Sequence, residues 1–457
     1  MRTDRKPLSL CEQHPITLAI ALGCVFGIGA WARLRGLPAF SGLYDALGPY
    51  WAAIRLDGRA HAAPYGSLLV APYLPAIHFT SSLWDAVQVT ALLHSLIGVC
   101  ATVASLKIWP KRRFVAAAFG ILVSLDSGLL DTAVSGAKGY YAALFVATML
   151  IAKGPWLWLL WAFAVANHPL ALAAAPLVLT PGSLVRRNWW GFAVCGLAVG
   201  TQMGGWGSPG VSAGVDVGAV TDAIGSYVRK GGWFSMLVLT GPFVGLLDRK
   251  SRGIAARTIL AFALLAALGW SLGYLRDHHI RIFTVPALMG WGALPGRWAL
   301  LVILALRIPA NPVFPAGMVA REGTIGLTHR ITTMVESETV PFIVDGAWLS
   351  GSPAVEPAGI MLDLYLRGWR ADRLNTLGDV VVILSAERGD IDGVEETGKT
   401  LIEGDRYRVF RATPEAVQSW SVPLCRQNAK LGGAWDGLSV IAPGTVVTEM
   451  RQWWACD

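Results

Sequence analysis

The sequence contains little charge and few cysteines. Only 15% of its 457 residues are charged, whereas about 25% is usual for a soluble domain, and 54% are hydrophobic. Between Gln13 and Arg321 there is no glutamate at all. This composition excludes an ordinary soluble protein and indicates an integral membrane protein.

Common site motifs are also missing. The six cysteines form no CxxC pair and no Cys/His cluster with zinc-ligand spacing, so the sequence gives no support for a structural metal site. The net charge of +8 could suggest a nucleic-acid partner. However, the basic residues lie in short clusters between apolar runs, as in Lys111–Arg113, and this pattern is typical of membrane topology. We therefore expect contact with membrane lipid and not with nucleic acid.

The apolar runs predict an α-helical polytopic membrane protein with about ten to twelve transmembrane helices within residues 16–307. Breaks at His168-Pro169 and Pro295-Gly296 predict short paired helices. The positive-inside rule places residues 1–15 and the basic turns in the cytoplasm. The basic turns are Lys111–Arg113, Lys153, Arg186-Arg187, Asp248–Arg252 and Arg297. The predicted outer loops are 35–65, 131–138, 206–231 and 276–281.

The chain changes character after Arg307, because acidic residues become frequent and apolar runs shorten to strand length. Residues 308–457 therefore predict a small mixed α/β domain, which the span count places outside the cytoplasm. Predicted strands cover 341–345, 379–384 and 407–410, and predicted helices cover 361–370 and 414–419. Cys425 and Cys456 lie in this domain and form a predicted disulfide if the compartment is oxidising.

The first outer loop carries an aspartate followed by a stretch rich in Ala, Tyr and Gly, and then a Pro-Tyr step at Pro64-Tyr65. This combination resembles the GT-C superfamily of polytopic glycosyltransferases, which use polyprenyl-phosphate sugars. The resemblance extends loosely over residues 10–306 and is one of architecture more than of signature motifs. It maps Asp45 to the catalytic base. Many relatives have adjacent acidic residues where this chain has Asp45-Ala46, so a divalent cation is left open, and Asp45 could instead cap an interfacial helix.

Further carboxylates border the second outer loop. Asp126 and Asp131 occupy the region where some relatives bind the acceptor or a divalent ion, and ionisable groups at membrane depth are functional candidates. The alternative is that both lie at the water interface, with Asp131 as a helix cap.

A dense polar segment, Arg276-Asp277-His278-His279-Ile280-Arg281, separates two long apolar runs. Arginine suits phosphate oxygens, and histidine can donate or accept protons near neutral pH. The resemblance implies that Arg276, His278, His279 and Arg281 bind the donor phosphate. The alternative is a loop that contacts lipid headgroups. His168 is a candidate for an internal cavity, or a helix-end residue without a further role.

The resemblance implies a glycosyltransferase that moves a sugar from a polyprenyl-phosphate donor to an extracytoplasmic acceptor, in the bacterial inner membrane. Two alternatives remain. One is a non-enzymatic membrane subunit that docks envelope protein partners through its outer domain. The other is a lipid-linked transporter or flippase, for which broken helices at matching positions in two halves would be expected.

Overall fold

The structure is a computed structural model, and helices account for most of the residues that it describes. It divides the chain into two compact units. The first unit comprises 1–37, 62–74 and 88–321, and the second comprises 38–61, 75–87 and 322–457. The described residues are 15–36, 73–126, 129–130, 139–179, 217–273, 275–295, 329, 333, 342–345, 363, 380–385, 393–403, 407–420, 422–423, 438–441 and 451–454.

The helical part of the chain consists of twelve described α-helices and three 3₁₀ segments. The α-helices are α1 Pro15–Gly36, α2 Leu74–His78, α3 Leu83–His94, α4 Leu96–Ile108, α5 Arg113–Ser124, α6 Gly139–Met149, α7 Pro155–Asn167, α8 Ala175–Val178, α9 Val217–Gly245, α10 Arg252–Ser271, α11 Asp277–Ile280 and α12 Thr284–Leu288. The 3₁₀ segments are Pro169–Ala174, Arg281–Phe283 and Met289–Ala293.

Among the described residues, three helical segments are long and apolar enough to cross a membrane. They are Ile16–Gly36, Leu83–Ile108, which combines α3 and α4, and Arg252–Ser271. Shorter apolar helices include Arg113–Ser124 and Pro155–Asn167. The structure thus confirms a mostly helical chain with helices of membrane-spanning length. The count of ten to twelve spans stays a prediction.

Small residues allow helices α1, α4 and α5 to approach closely. A Cβ atom on Gly98 of α4 would meet the backbone of Gly120 in α5 at 2.8 Å and the side chain of Val25 in α1 at 3.1 Å. Membrane helices commonly associate through such small residues because the backbones can then pack directly. Arg33 of α1 is fully buried beside this contact and donates to the Ser124 carbonyl at 3.1 Å.

Two predicted cytoplasmic turns of the first unit are joined to other chain segments at one end of the bundle. The Lys107 ammonium donates to the Leu150 carbonyl at 3.1 Å, next to the turn that contains Lys153. The Arg112 guanidinium donates to the carbonyls of Gly292 and Leu294 at 2.6 and 2.7 Å. The described turns that contain Lys111–Arg113 and Lys153 therefore lie at the same end of their helices.

Two helices break where the sequence contains residues that disfavour a continuous helix. Helix α7 ends at Asn167, and His168 is extended before Pro169 starts the 3₁₀ segment. This confirms the break that Pro169 predicts. In α9 the helical path is interrupted at Gly232, whose φ of +52° is accessible to glycine but unfavourable for other residues.

The C-terminal part contains a six-stranded sheet of order β3-β4-β2-β1-β5-β6. Strand β1 pairs with β2 in parallel, and all other neighbours are antiparallel. The strands β1, β2 and β4 confirm the three strands predicted from the sequence. The elements are β1 Phe342–Asp345, β2 Val380–Ser385, α13 Val394–Thr397, β3 Lys399–Glu403, β4 Tyr407–Ala412, α14 Pro414–Ser419, β5 Leu438–Ile441 and β6 Arg451–Trp454.

The sheet has its own apolar core. Alternate residues Val382 and Leu384 of β2 are buried, as expected for one face of a pleated strand. Trp420 is fully buried, lies edge-on to Phe410 with 6.0 Å between ring centroids, and donates its indole N–H to the Thr397 hydroxyl at 2.8 Å. An aromatic residue just after α14 thus closes this core.

Candidate functional site

The polar segment 276–281 forms a short helical turn between α10 and α12. Arg276 is exposed and His278 is half-buried, whereas His279 is fully buried and Arg281 is only 6% exposed. The Arg281 guanidinium forms an ion pair with the Asp277 carboxylate at 3.3 Å. The structure therefore places the four predicted phosphate-binding residues together, two of them inside the helical unit.

The ring of His279 is fixed by the backbone that precedes it. The Arg276 N–H donates to His279 Nδ1 at 2.9 Å, which caps the first turn of α11. The ring of His278 lies edge-on to it, with 4.1 Å between centroids. Burial, and then the neighbouring His168, His278 and Arg276, lowers the pKa of His279 far below its ordinary value. His279 is therefore neutral at physiological pH.

His168 reaches the same cluster from a distant part of the chain. It occupies the break between α7 and the following 3₁₀ segment, and its Nδ1 accepts the Leu170 N–H at 3.2 Å. Its ring lies 4.5 Å from that of His279 between centroids. His168 is therefore a helix-end residue, as one alternative predicted, and its ring also lies beside the histidines of the segment 276–281.

Asp126 lies on the same side of the bundle as Arg281. Its carboxylate is 3% exposed and accepts the Leu129 N–H at 3.0 Å. Both groups act on Tyr227 of α9, which is itself buried. Burial, and then the Asp126 charge, raises the pKa of Tyr227, while Arg281 and the hydroxyls of Thr284 and Ser235 act in the opposite direction. Tyr227 therefore remains a neutral phenol near Asp126 and Arg281.

An apolar cleft adjoins the polar segment. Its volume is about 250 Å³, and helices α9 and α10 provide most of its wall. Leu275 and Ile280 complete the wall, and the polar residues 276–279 lie between these two in the sequence. The remaining lining residues are Val220, Ile224, Leu239, Phe243, Ile259, Phe262, Leu265 and Ala266. The cleft thus offers an apolar surface next to a polar, positively charged one.

Several predicted site residues lie outside the described residues. They are Asp45, Asp131, Cys425 and Cys456. Conversely, sequence reasoning missed Tyr227 and the cleft. Tyr227 belongs to no motif, and the cleft depends on which faces of α9 and α10 turn towards each other, so no sequence signal identifies either.

A divalent cation has one candidate site among the described residues, formed by His168, His278 and His279. One ring nitrogen of each lies within 4.8 Å of those of the other two. The tautomers do not fit this use, however. A neutral imidazole whose Nδ1 accepts a hydrogen bond carries its proton on Nε2, whereas a metal at Nε2 requires that proton on Nδ1. Both His168 and His279 accept at Nδ1.

Comparison with known proteins adds no assignment. No family model, curated protein or solved structure matches this chain.

Proposed function

We propose that this chain is a membrane glycosyltransferase that moves a sugar from a polyprenyl-phosphate donor to an acceptor outside the cytoplasm. The observation that carries the proposal is the position of the apolar cleft, because its wall residues Leu275 and Ile280 lie at the two ends of the polar run that contains Arg276, His278 and His279. A polyprenyl phosphate has two corresponding parts, an apolar chain and an anionic phosphate. One ligand of this class would occupy both surfaces at once.

The arginines supply the charge that the phosphate needs. Guanidinium groups bind phosphate oxygens through paired hydrogen bonds. Arg276 is exposed and able to meet an incoming lipid, whereas Arg281 is buried and oriented by Asp277. When the bond between sugar and phosphate breaks, negative charge develops on the departing phosphate, and fixed positive groups stabilise it.

The acceptor side of the reaction is assigned by resemblance. Asp45 would deprotonate or orient the acceptor nucleophile, which requires it to lie within hydrogen-bond reach of that group. Asp126, whose charge acts on Tyr227 as does that of Arg281, would contribute to the electrostatic environment of the donor site.

The proposal also includes a topology. The chain would cross a bacterial inner membrane about ten to twelve times, and the domain 308–457 would lie outside the cytoplasm. Contacts within the first unit support the placement of two basic turns on one side, because the Lys107 ammonium donates to the Leu150 carbonyl beside the turn of Lys153.

The test is transfer by the full chain, reconstituted in liposomes with a polyprenyl-phosphate sugar. Asp45→Ala should abolish transfer, whereas Glu415→Ala, an exposed carboxylate on α14, should leave it unchanged. Arg276→Ala should weaken binding of polyprenyl phosphate roughly tenfold, because one charge-assisted hydrogen bond is lost. Arg249→Ala, exposed in the turn before α10, is the matched arginine control.

Two results would count against the proposal. Undiminished transfer by Asp45→Ala would remove Asp45 from the mechanism. Lipid binding without transfer from any polyprenyl-phosphate sugar would favour the non-enzymatic subunit, whose outer domain would then be expected to retain an envelope partner.

A further inference from the structure

We infer that His168 is a donor in an anion site shared with His279, and that this site takes a tetrahedral phosphoryl group and not a divalent cation. The inference rests on the proposed function only in taking the phosphoryl group to be that of a lipid. His168 enters the site through the helix break and not through the polar segment, so the loop 276–281 alone does not make up the site.

The first step is the local geometry of His168. Because Pro169 cannot continue helix α7, His168 leaves the helix with extended φ and ψ of −148° and 120°. In this conformation its Nδ1 accepts the Leu170 N–H at 3.2 Å and so caps the following 3₁₀ segment. The hydrogen bond fixes both the ring orientation and the nitrogen that has no proton.

The second step is that His279 has the same arrangement. Its Nδ1 accepts the Arg276 N–H at 2.9 Å, and the residue is fully buried. A neutral imidazole has one ring proton, which must then be on Nε2. His168 and His279 are therefore both Nε2–H donors when neutral, with 4.5 Å between their ring centroids.

The third step concerns charge. Arg276 and Arg281 flank the site, and Arg281, which is only 6% exposed, forms an ion pair with the Asp277 carboxylate, so the segment 276–281 keeps one net positive charge. A divalent cation would be repelled by this net charge and would meet N–H groups where it needs lone pairs. A phosphoryl anion would be attracted by the same charge and would accept from the same N–H groups. The close spacing of the three imidazoles is therefore better suited to an anion.

The experiment measures binding to the full chain, purified in detergent after treatment with a chelator. Titration calorimetry is carried out separately with inorganic phosphate, a short prenyl phosphate, phosphatidylglycerol and Zn²⁺. We expect the prenyl phosphate to bind, inorganic phosphate to compete with it, and phosphatidylglycerol and Zn²⁺ to show no stoichiometric binding.

The informative variant is His168→Asn. Asparagine is a favoured cap, so its side-chain carbonyl can still accept the Leu170 N–H, but its shorter amide does not extend as far as imidazole Nε2. Phosphate affinity should fall roughly tenfold, the value of one hydrogen bond to a charged group, with an unchanged thermal midpoint. His279→Gln keeps both an acceptor and a donor and should lose less affinity than His279→Leu. The control is His78→Asn, which changes an exposed histidine of α2.

The outcomes are distinguishable. Stoichiometric Zn²⁺ binding that is lost in His168→Asn would establish a metal site and overturn the inference. Unchanged phosphate affinity in a folded His168→Asn would reduce His168 to a helix cap and overturn it as well. Phosphate binding that is sensitive to His168→Asn, in a protein that transfers no sugar, would support the anion site while the proposed glycosyltransferase activity fails.

Discussion

Trp109 donates its indole N–H to the Asp248 carboxylate at 3.0 Å. The two residues lie next to different basic turns, Lys111–Arg113 and the Arg249–Arg252 segment, both of which the sequence predicts to be cytoplasmic. Trp109 is 4% exposed, and the same turn also binds the Gly292 and Leu294 carbonyls through Arg112. This contact therefore connects turns that charge alone assigned to one side of the membrane.

Trp109→Phe should destabilise the helical unit by about 1–3 kcal/mol, because the partly buried Asp248 carboxylate loses a donor. Thermal unfolding in detergent measures the effect. Trp156→Phe is the matched control, since Trp156 is 65% exposed and surface changes are usually within about 0.5 kcal/mol. Equal midpoints for the two variants would show that the Trp109–Asp248 contact contributes nothing to stability.

Charge patterning predicts which turns of the first unit share an end because the rule depends only on sequence position. The same rule predicts that the segment 276–281 and the loop 131–138, which Asp126 borders, lie at the other end. The sequence does not predict the pairing of side chains at that end. His168 lies beside His279 because Pro169 ends helix α7 at a point close to the segment that follows α10. The distance between the two rings depends on how these helices pack, which the sequence does not show.

Close packing of glycine backbones gives a second stability prediction. Gly98→Ala should cost about 1–3 kcal/mol, the usual effect of overpacking, because the added Cβ would lie 2.8 Å from the Gly120 carbonyl oxygen. Gly27→Ala in α1 is the control, since no atom lies within 4 Å of its added Cβ, and its helix propensity should improve. Denaturant titration of both variants provides the measurement. If Gly98→Ala is as stable as Gly27→Ala, α4 and α5 are not in direct backbone contact.

Orientation can be tested with single cysteines in a variant whose native cysteines are replaced by serine. Lys111→Cys should react with a membrane-impermeant maleimide only after the cells are opened, because the basic turn is predicted to be cytoplasmic. Glu415→Cys, an exposed position of α14, should react on spheroplasts before they are opened. The reverse pattern would place the domain 308–457 in the cytoplasm and would remove the basis for the proposed extracytoplasmic reaction.

Tyr227 gives a pH-dependent prediction. Burial, followed by the Asp126 charge, raises the pKa of its phenol above the ordinary value. A phenol whose pKa is higher in the folded than in the unfolded state contributes stability that is fully present below the unfolded pKa of about 10. That stability is lost as the pH rises towards the folded pKa, at up to about 1.4 kcal/mol per pH unit. Tyr227→Phe should therefore lose less stability than the wild type between about pH 9.5 and 11, measured by urea unfolding at each pH. Parallel losses in the two proteins would mean that the phenol ionises freely, and that Tyr227 does not lie in a buried cluster with Asp126 and Arg281.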